Sequence, residues 1–401
     1  MTVSRAPDEP RVTDFEATIE RAEGQRVVLL ETYFYPEAGG QPADRGQLAG
    51  VPVTDVQERD GEVVHTLREP IDHETGDQVA GKIDSQHRRY CRRAHSASHV
   101  LYGAGRQIFD ELGYGGFDIS DEKIRVDLET SQTPADDELI ELERLANRAV
   151  WASKPVSWEE VPVEEARADA TVAFNVKTEE GVMAESDSVR IVTIEDWDRA
   201  ACGGTHVANT ADIGPIELLQ RSNPGQGLTR FEFAVGHTAI DRRATIHHAV
   251  LDAAAAADST VAELPDAIGR LSSDREELQT EVSRLQSQLI EYHLDGLERV
   301  TRDGHVWAVG QLDEMGPNDV TDALKQYVGD DGPQVAAVAG GDDAPFVAIA
   351  STGAVDADGV VNQITDQFGG GGGGSPTFAQ GGGLDANPAA VVTSLRSTDS
   401  E

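Results

Sequence analysis

The alternation of apolar and polar positions in the first 80 residues predicts short β-strands. Residues 27–30, 51–53 and 62–67 combine β-branched or long apolar side chains with polar neighbours, and Asp60-Gly61 marks a tight turn before the third run. Several short strands at close spacing are typical of a small barrel or meander. We therefore expect a small N-terminal β-barrel over residues 1–84.

The pattern changes from period two to a mixture of helix and strand after residue 84. Ser96-Ala97-Ser98 contains no helix breaker, and Val100, Leu101 and Ala104 continue an apolar stripe at helical spacing. A second helix is predicted at 136–153, and strands are predicted at 191–194, 216–219 and 229–233. These segments predict an α+β domain over residues 85–245.

A long amphipathic pattern follows over residues 246–300. Its apolar positions step by alternating fours and threes, with Arg275 as the single break: Leu264, Ile268, Leu271, Leu278, Val282, Leu285, Leu289 and Tyr292. This is about four heptads, which favours a helical coiled-coil arm and is equally consistent with a helix packed on a neighbouring domain.

The last 100 residues are expected to form a small α/β domain over 301–401. Strands are predicted at 306–309, 335–338 and 346–350, and helices at 320–328 and 360–368. Six consecutive glycines follow at 369–374. This composition indicates a flexible linker, but few residues remain beyond it for a linker to connect. A backbone N–H nest that contacts phosphate, with Gly371, Gly372 and Gly373 as candidate RNA-binding residues, is the alternative.

Charge changes the expected surroundings of the protein more than its fold. The chain has 401 residues and a formal net charge of −39, with only five lysines among 33 basic residues. Because periodic apolar segments argue for folded domains, we interpret this acidity as that of a halophile-type protein. At molar salt the Debye length falls to roughly 3 Å, so the acidic surface does not exclude an RNA partner.

One basic cluster departs from the acidic background. The cluster lies immediately before the predicted helix that carries His95. Four of its six positions are arginines: Arg88, Arg89, Arg92 and Arg93. The cluster predicts a phosphate-facing patch that binds RNA, with a salt-bridged helix face as the alternative.

Two short clusters predict a metal site. His95 and His99 are four residues apart and share one face of a helix, while Cys202 and His206 flank a glycine-opened loop. Together they offer the mixed nitrogen and sulfur tetrahedron that Zn²⁺ prefers. No glutamate follows His95 directly, which excludes the H-E-x-x-H metalloprotease pattern.

Details of both clusters bear on their chemistry. Gly203 and Gly204 permit positive φ and offer two unhindered N–H groups that suit an oxyanion. Cys91 lies on the same helical face as the two histidines and is the alternative ligand, but a third helical ligand lies about 12 Å along the axis from the first. A buried structural cysteine is the favoured interpretation of Cys91.

Cysteine use and hydropathy indicate the compartment. Two cysteines are too few for a disulfide framework and suit a reducing environment. The first residues lead into charge without an apolar core, and no run approaches the 18 apolar residues of a membrane span. We expect a cytoplasmic protein with no membrane partner.

These motifs together resemble the alanyl-tRNA editing proteins of the AlaX type, in the long form that carries the C-terminal domain of alanyl-tRNA synthetases. Residues 35–41 resemble the family's F-Y-P-x-G-G-Q loop, 93–101 its H-T-A-T-H-L-L helix, and 201–214 its C-G-G-T-H-V stretch. The glycine tract with residues 379–382 is similar to the family's DHH-associated domain. The chain departs from the family pattern at Ala38, Ser96, Ser98 and Ala211.

The resemblance implies a trans-editing hydrolase that deacylates mischarged tRNA(Ala) bearing serine or glycine. It implies Zn²⁺ held by the two clusters, an amino-acid pocket lined by Thr32 and Gln41, and catalytic roles for Gly203 and Gly204. The editing-like region begins so early that no class II ligase domain is expected before it. The helical arm or the C-terminal domain offers a surface for a homodimer.

A different class of function fits the same residues. The chain could act as a non-catalytic tRNA-binding or synthetase-associated module in which zinc is only structural, because four protein ligands form the closed shell typical of structural zinc. Mutation of Cys202 and His206 separates the two interpretations, since only the enzyme loses hydrolysis.

Overall fold

A computed structural model of the protein describes residues 4–110, 112–174, 187–225, 227–312, 315–329, 331–341 and 344–397. The chain divides into two compact units, Met1–Ala253 and Ala254–Glu401. The barrel region and the α+β region, which the sequence predicted as separate segments, both lie in the first unit.

Six antiparallel strands close into a barrel at the start of the first unit, in the order β1-β2-β5-β4-β3-β6. The strands are β1 (Asp14–Glu23), β2 (Arg26–Leu29), β3 (Gly46–Leu48), β4 (Val51–Arg59), β5 (Glu62–Leu67) and β6 (Gln78–Ile83). Ile19, Leu29, Phe34 and Leu48 are buried in its core. Asp60 and Gly61 have φ of 52° and 74°, which suits a two-residue hairpin turn. The predicted barrel is confirmed.

The first helix, α1 (Ser85–Ile108), carries the first histidine cluster into the core. Asp84 caps it by accepting hydrogen bonds from the N–H groups of Gln86 and His87, at 2.9 and 3.2 Å. The helix packs against strands that follow it in the chain, and Ala94, Ala97, Val100 and Leu101 are fully buried. The polar histidines are therefore enclosed by apolar side chains of their own helix.

Two four-stranded sheets complete the first unit. One has the order β13-β14-β8-β7 and the other β10-β12-β11-β9. Their strands are β7 (Leu112–Ile119), β8 (Ile124–Thr130), β9 (Val156–Pro162), β10 (Val172–Ala173), β11 (Ser188–Ile194), β12 (Asp198–Ala201), β13 (Ile216–Gly225) and β14 (Leu228–Val235). Helices α2 (Asp136–Trp151) and α3 (Val163–Ala168) accompany them. The loop after β12 carries the Cys202 cluster toward α1.

Helix α4 (His237–Ala256) contains the boundary between the units, and α5 (Leu264–Asp295) begins the helical part of the second. Helix α5 has 32 residues, and Leu271, Leu278 and Leu285 on its apolar stripe are at least half exposed. The structure thus has the predicted amphipathic helix. Its pairing in a coiled coil stays a prediction.

A six-stranded sheet with the order β15-β16-β17-β18-β20-β19 forms the centre of the second unit. Its elements are β15 (Glu298–Arg302), β16 (His305–Leu312), α6 (Pro317–Tyr327), β17 (Val335–Gly340), β18 (Phe346–Ser351), α7 (Ala357–Phe368), β19 (Gly371–Ser375), β20 (Phe378–Gly382) and α8 (Pro388–Arg396). Alternate residues of β17 face two different cores. Burial on both faces explains its continuous apolar run.

The glycine tract is a strand rather than a flexible linker, so the linker interpretation is wrong. Residues 371–375 pair with β20 as β19, at the edge of the sheet. Within the tract, positive φ is found at Gly369 and Gly370, before the strand, at 74° and 87°. Composition alone favoured a linker because glycine is rare in strands. Here the pairing with β20 brings the two backbones very close, since a Cβ at Gly372 would lie 2.5 Å from the Gln380 carbonyl oxygen.

Candidate metal centre

The two predicted clusters meet in one site. His95 and His99 project from α1, Cys202 and His206 come from the loop after β12, and one donor atom from each lies within 4.8 Å of all the others. The Cys202 Sγ is 3.2 Å from His95 Nε2 and 3.3 Å from His206 Nε2. The predicted grouping of these four residues is confirmed.

The donor set fits a zinc ion. Ligands at 2.0–2.3 Å from a tetrahedral zinc lie roughly 3.3–3.8 Å apart, which is close to the sulfur–nitrogen distances seen here. Three imidazoles and one thiol are also the chemistry that zinc selects over the oxygen-preferring Mg²⁺ and Ca²⁺. Cys91, the alternative ligand, instead contacts His87 Nε2 at 3.6 Å and lies outside the group.

Each histidine of the site is oriented through its other ring nitrogen. His95 Nδ1 lies 2.9 Å from Gln41 Oε1, His99 Nδ1 lies 3.1 Å from Asp198 Oδ2, and His206 Nδ1 lies 3.1 Å from Ser96 Oγ. Such partners fix the ring orientation and leave Nε2 as the metal-binding atom. Each Nε2 atom is therefore directed toward the centre of the donor group.

The environment of the partly buried Cys202 thiol favours its ionised form. Burial raises the pKa of Cys202, but the His95 and His206 imidazoles outweigh this and hold its pKa well below the usual range. Burial lowers the pKa of His206 to about 3. Burial also lowers the pKa of His99, yet hydrogen bonds to Asp198 and Cys202 outweigh it and raise it to about 10. A thiolate is the form of cysteine that binds a metal, and the raised pKa of His99 means that this ring must release a proton when a metal binds.

The two loop glycines differ in their surroundings, and neither has the positive φ that the sequence suggested. A Cβ at Gly204 would lie 2.1 Å from the His95 ring, whereas a Cβ at Gly203 would meet nothing within 4 Å. Close approach to His95, rather than a left-handed backbone, is what requires glycine at position 204.

Thr32 and Gln41 do not line the cavity beside the metal centre, so the expectation that both contact the substrate's amino acid is corrected. Thr32 is fully buried, and its Oγ1 accepts from the Phe34 N–H and lies 2.9 Å from His65 Nε2. Gln41 is fully buried beneath His95. Both side chains are satisfied by internal hydrogen bonds.

A cavity of about 680 Å³ opens beside the metal centre. His95, His99, Cys202, Gly203 and Gly204 form part of its wall. The rest is largely aromatic and charged and includes Tyr35, Tyr102, Tyr114, Phe117, Phe174, Glu160 and Arg190. A concave site with a few polar groups in an apolar wall is the usual form of a small-molecule or ligand-end pocket.

The arginine cluster is only partly available to a phosphate. Arg88 is 1% exposed, and its guanidinium is paired with Asp44 and donates to the carbonyls of Pro10 and Tyr33. The prediction that Arg88 contacts RNA is therefore wrong, because its donors are used inside the fold. Arg89 is exposed and Arg92 and Arg93 are half-buried.

The structure reveals two further residues that the sequence analysis did not select. Asp198 is 3% exposed and holds His99. Arg190 donates to the carbonyls of Cys202 and Gly204, at 2.8 and 3.2 Å, and its guanidinium lies over the Trp158 ring. Asp198 lies four residues before Cys202, at the start of the short strand β12, and this proximity is the local signal that could have identified it.

Comparison with known proteins agrees with this architecture. Residues 189–232, which include the Cys202 loop, match the family model of the threonyl and alanyl tRNA synthetase second additional domain. Residues 9–87, the barrel region, match the model of class II (A) tRNA synthetases. Two segments of the first unit are thus similar to domains of class II tRNA synthetases, and one of these segments contains the Cys202 loop.

Two curated relatives indicate which of the tRNA synthetases this chain resembles. Alanine--tRNA ligase of Pyrococcus abyssi is 31% identical over 381 residues, covering 93% of this chain and 41% of its own length. Alanine--tRNA ligase of Natronomonas pharaonis is 34% identical over 397 residues, covering 95% of this chain and 42% of its own. These relatives confirm the resemblance of this chain to alanyl-tRNA synthetase-related proteins of the AlaX type.

These matches cover only part of each relative. The chain spans about four-tenths of the length of the curated relatives it matches. The C-Ala domain of Aquifex aeolicus alanyl-tRNA synthetase aligns with 25% of this chain and 96% of its own at 21% identity, but the TM-score of 0.23 is too low to define a shared fold.

None of the helices in the described part of the chain combines the length and the hydropathy of a membrane-spanning helix.

Proposed function

We propose that this protein is a trans-acting hydrolase that deacylates mischarged tRNA(Ala) carrying serine or glycine. The observation that carries the proposal is the position of the metal donors: His95, His99 and Cys202 form part of the wall of a 680 Å³ cavity rather than an enclosed structural site. A ligand end that enters this cavity reaches the metal centre directly.

Alanine selection supplies the chemical need for such an enzyme. Glycine is smaller than alanine and serine adds one hydroxyl, and binding alone rejects analogues of this kind by only about 10². A second site that hydrolyses the mistaken ester removes those errors. The relatives are named as alanine--tRNA ligases, which supports alanine-specific tRNA as the partner.

The chain's own residues support ester hydrolysis in this cavity. Among the described residues, no acceptor pairs with the N–H of Gly203 or Gly204, so both can donate to an oxyanion that develops at the ester carbonyl. Arg190 and Thr205 hold the two ends of this loop through their hydrogen bonds. When bound, zinc would supply Lewis acidity or orient the substrate's amino group.

RNA contacts are proposed at two places, one in each unit. In the first unit, Arg89, Arg92 and Arg93 would face phosphate, with Arg92 also donating from Nε to the His206 carbonyl at 3.1 Å. In the second unit, the exposed glycine backbone of β19, over Gly371, Gly372 and Gly373, would approach RNA without side-chain hindrance. In high salt such contacts depend on hydrogen bonding and shape more than on bulk charge.

The test is deacylation of Ser-tRNA(Ala) and Gly-tRNA(Ala) in molar KCl, with Ala-tRNA(Ala) as the correctly charged control. Cys202→Ala removes the thiol donor, and Cys91→Ala is the matched control because Cys91 is the other cysteine and lies outside the donor group. We expect selective hydrolysis of a mischarged species, lost in Cys202→Ala and retained in Cys91→Ala. Equal rates for all three substrates, or full activity of Cys202→Ala, would contradict the proposal.

The four-donor set also favours a second candidate, a non-catalytic tRNA-binding module with structural zinc. Four protein ligands leave no open coordination position, which is the pattern of structural zinc sites. This candidate predicts that wild-type protein binds tRNA(Ala) without hydrolysing any of the three esters. The same deacylation assay, combined with a tRNA-binding measurement, therefore distinguishes the two.

A further inference from the structure

Gln41 lies at the point where the barrel meets the metal centre. It follows Gly39 and Gly40 in the loop between β2 and β3, and its side chain is fully buried. Its partners are distant in the chain, since His95 is 54 residues away and Thr205 is 164 residues away. One barrel side chain therefore joins both halves of the donor set.

The hydrogen bonds fix which way the Gln41 amide points. The Thr205 backbone N–H, which can only donate, is 3.0 Å from Gln41 Oε1, and Gln41 Nε2 donates to Thr205 Oγ1 at 3.0 Å. The Oε1 atom that faces Thr205 is also 2.9 Å from His95 Nδ1. Because Oε1 only accepts, His95 must carry its proton on Nδ1, and Nε2 is left with its lone pair toward Cys202.

The loop that carries Gln41 is itself held firmly. Ala38 and Gln41 exchange backbone hydrogen bonds at 2.9 and 3.2 Å, which closes a tight turn. A Cβ at Gly40 would lie 2.0 Å from the Phe117 carbonyl oxygen, and the Ile119 N–H donates to the Gly40 carbonyl at 2.9 Å. The backbone that carries the Gln41 amide is thus held by its own turn and by contact with β7.

We infer that Gln41 is a positioning residue that selects the metal-binding tautomer of His95 and so makes the barrel part of the metal centre. The inference rests on the proposed function only in taking zinc as the metal. It gives the barrel loop a role in metal affinity instead of a role in substrate contact. The relevant readout is therefore metal binding, measured without any tRNA.

The experiment compares three variants of the full chain. Gln41→Leu removes the acceptor for His95, and we expect zinc affinity to fall roughly 10- to 100-fold, the usual effect of losing a partner of a metal-bound histidine. Gln41→Glu keeps an oxygen acceptor, and we expect it to retain affinity within a few-fold. Gln47→Leu is the matched control, because Gln47 is exposed on β3 of the same barrel.

Zinc affinity is measured by competition with a chromophoric chelator, and cobalt(II) absorption reports the geometry of the donor set independently. Loss of affinity in Gln41→Leu with retention in Gln41→Glu and Gln47→Leu supports the inference. Equal affinity of Gln41→Leu and wild type overturns it, and so does equal loss in Gln41→Glu or a wild type that binds neither metal.

The outcome is separable from that of the proposed function. If wild type binds zinc in a Gln41-dependent way but deacylates no ester, the positioning role stands and the hydrolase proposal fails. If wild type deacylates mischarged tRNA while Gln41→Leu binds zinc normally, the hydrolase proposal stands and the positioning role fails. Should Gln41→Leu not fold, as judged by circular dichroism, the Gln41→Glu cobalt spectrum still decides, because a spectrum unlike that of wild type overturns the inference.

Discussion

Gly204 shows how a single missing side chain permits the metal centre. The His95 ring occupies the space that a Cβ at position 204 would need, while position 203 is open. His95 is in turn held by Gln41 and cannot retreat without losing that hydrogen bond. The site therefore depends on a backbone approach that only glycine allows.

Gly204→Ala is expected to weaken zinc binding by roughly tenfold or more, because the added Cβ must displace the His95 ring from its metal-binding position. Gly203→Ala is the matched control and is expected to bind zinc as wild type does. Chelator competition on both variants checks this. Equal affinities of the two alanine variants would show that the loop moves to accommodate the clash.

His65 is a buried titratable group of the barrel that the proposed chemistry does not use. Its Nε2 lies against Thr32 Oγ1 and its Nδ1 against the Val27 carbonyl, at 2.9 and 3.1 Å. Burial lowers its pKa to about 4, and the hydrogen bond to Val27 only partly offsets this. The barrel therefore holds His65 as a neutral imidazole.

Stability should respond to pH through this residue. His65 takes up a proton near pH 6.5 in the unfolded chain and only near pH 4 in the folded chain. The contribution of neutral His65 to the free energy of unfolding is therefore fully present above pH 6.5 and is lost as pH falls toward 4. The shift corresponds to about 3 kcal/mol. His65→Gln should therefore lose less stability than wild type between pH 7 and pH 4, measured by urea unfolding.

The control for this measurement is His73→Gln, because His73 is exposed in the turn before β6. Its pH dependence should match that of wild type, since carboxylates contribute equally to both chains. A His65→Gln curve parallel to the wild-type curve would mean that His65 is protonated without cost in the folded barrel.

At the scale of elements, α5 exposes a stripe of large apolar side chains that no other described element covers. Leu278, Val282, Leu285 and Leu289 are all about half exposed or more, and they repeat at heptad spacing. An apolar a/d seam of this kind is normally covered by another helix. A second copy of the same chain supplies a helix with the same spacing.

We expect wild-type protein to sediment at twice its 42.9 kDa chain mass. Leu278→Glu/Leu285→Glu places charge in the seam and should give monomers. Gln279→Glu/Gln286→Glu adds the same charge one position along the helix, also at exposed sites, and should leave the dimer intact. Sedimentation equilibrium of all three proteins decides, and monomeric wild type would contradict the prediction.

At the scale of the whole molecule, the net charge of −39 is the main feature that affects stability. The chain carries 72 acidic and 33 basic residues. Because folding brings the excess acidic side chains closer together, their mutual repulsion destabilises the folded state. Salt shortens the Debye length from about 10 Å at 0.1 M to about 3 Å at 1 M. Screening should therefore stabilise the compact state more than the expanded one.

The thermal midpoint is expected to rise by several degrees or more between 0.1 M and 2 M KCl. Because the effect is general screening, NaCl at equal concentration should act similarly. Differential scanning fluorimetry with both salts measures it. A midpoint independent of salt would mean that local ion pairs, such as Arg230 with Asp127, already balance the acidic surface.

Much of the fold was readable from the sequence because its signals are local. The strands of the barrel, the helix that carries His95 and His99, and β16, β17 and β18 all follow apolar periodicity. The glycine strand β19 was not readable, since its pairing depends on a partner strand and not on its own composition. The strand β7, with three glycines in eight residues, was missed for the same reason.

The sequence by itself determined the donor set of the site, because spacing on a helix and in a tight loop fixes which side chains can meet. Only the tertiary structure decided which neighbours serve that set. Gln41, Asp198 and Arg190 act across 54 or more residues or from an adjacent strand, and Arg88 is withdrawn from the surface by Asp44. Long-range contacts have no periodicity in sequence, since they exist only when separate elements pack together.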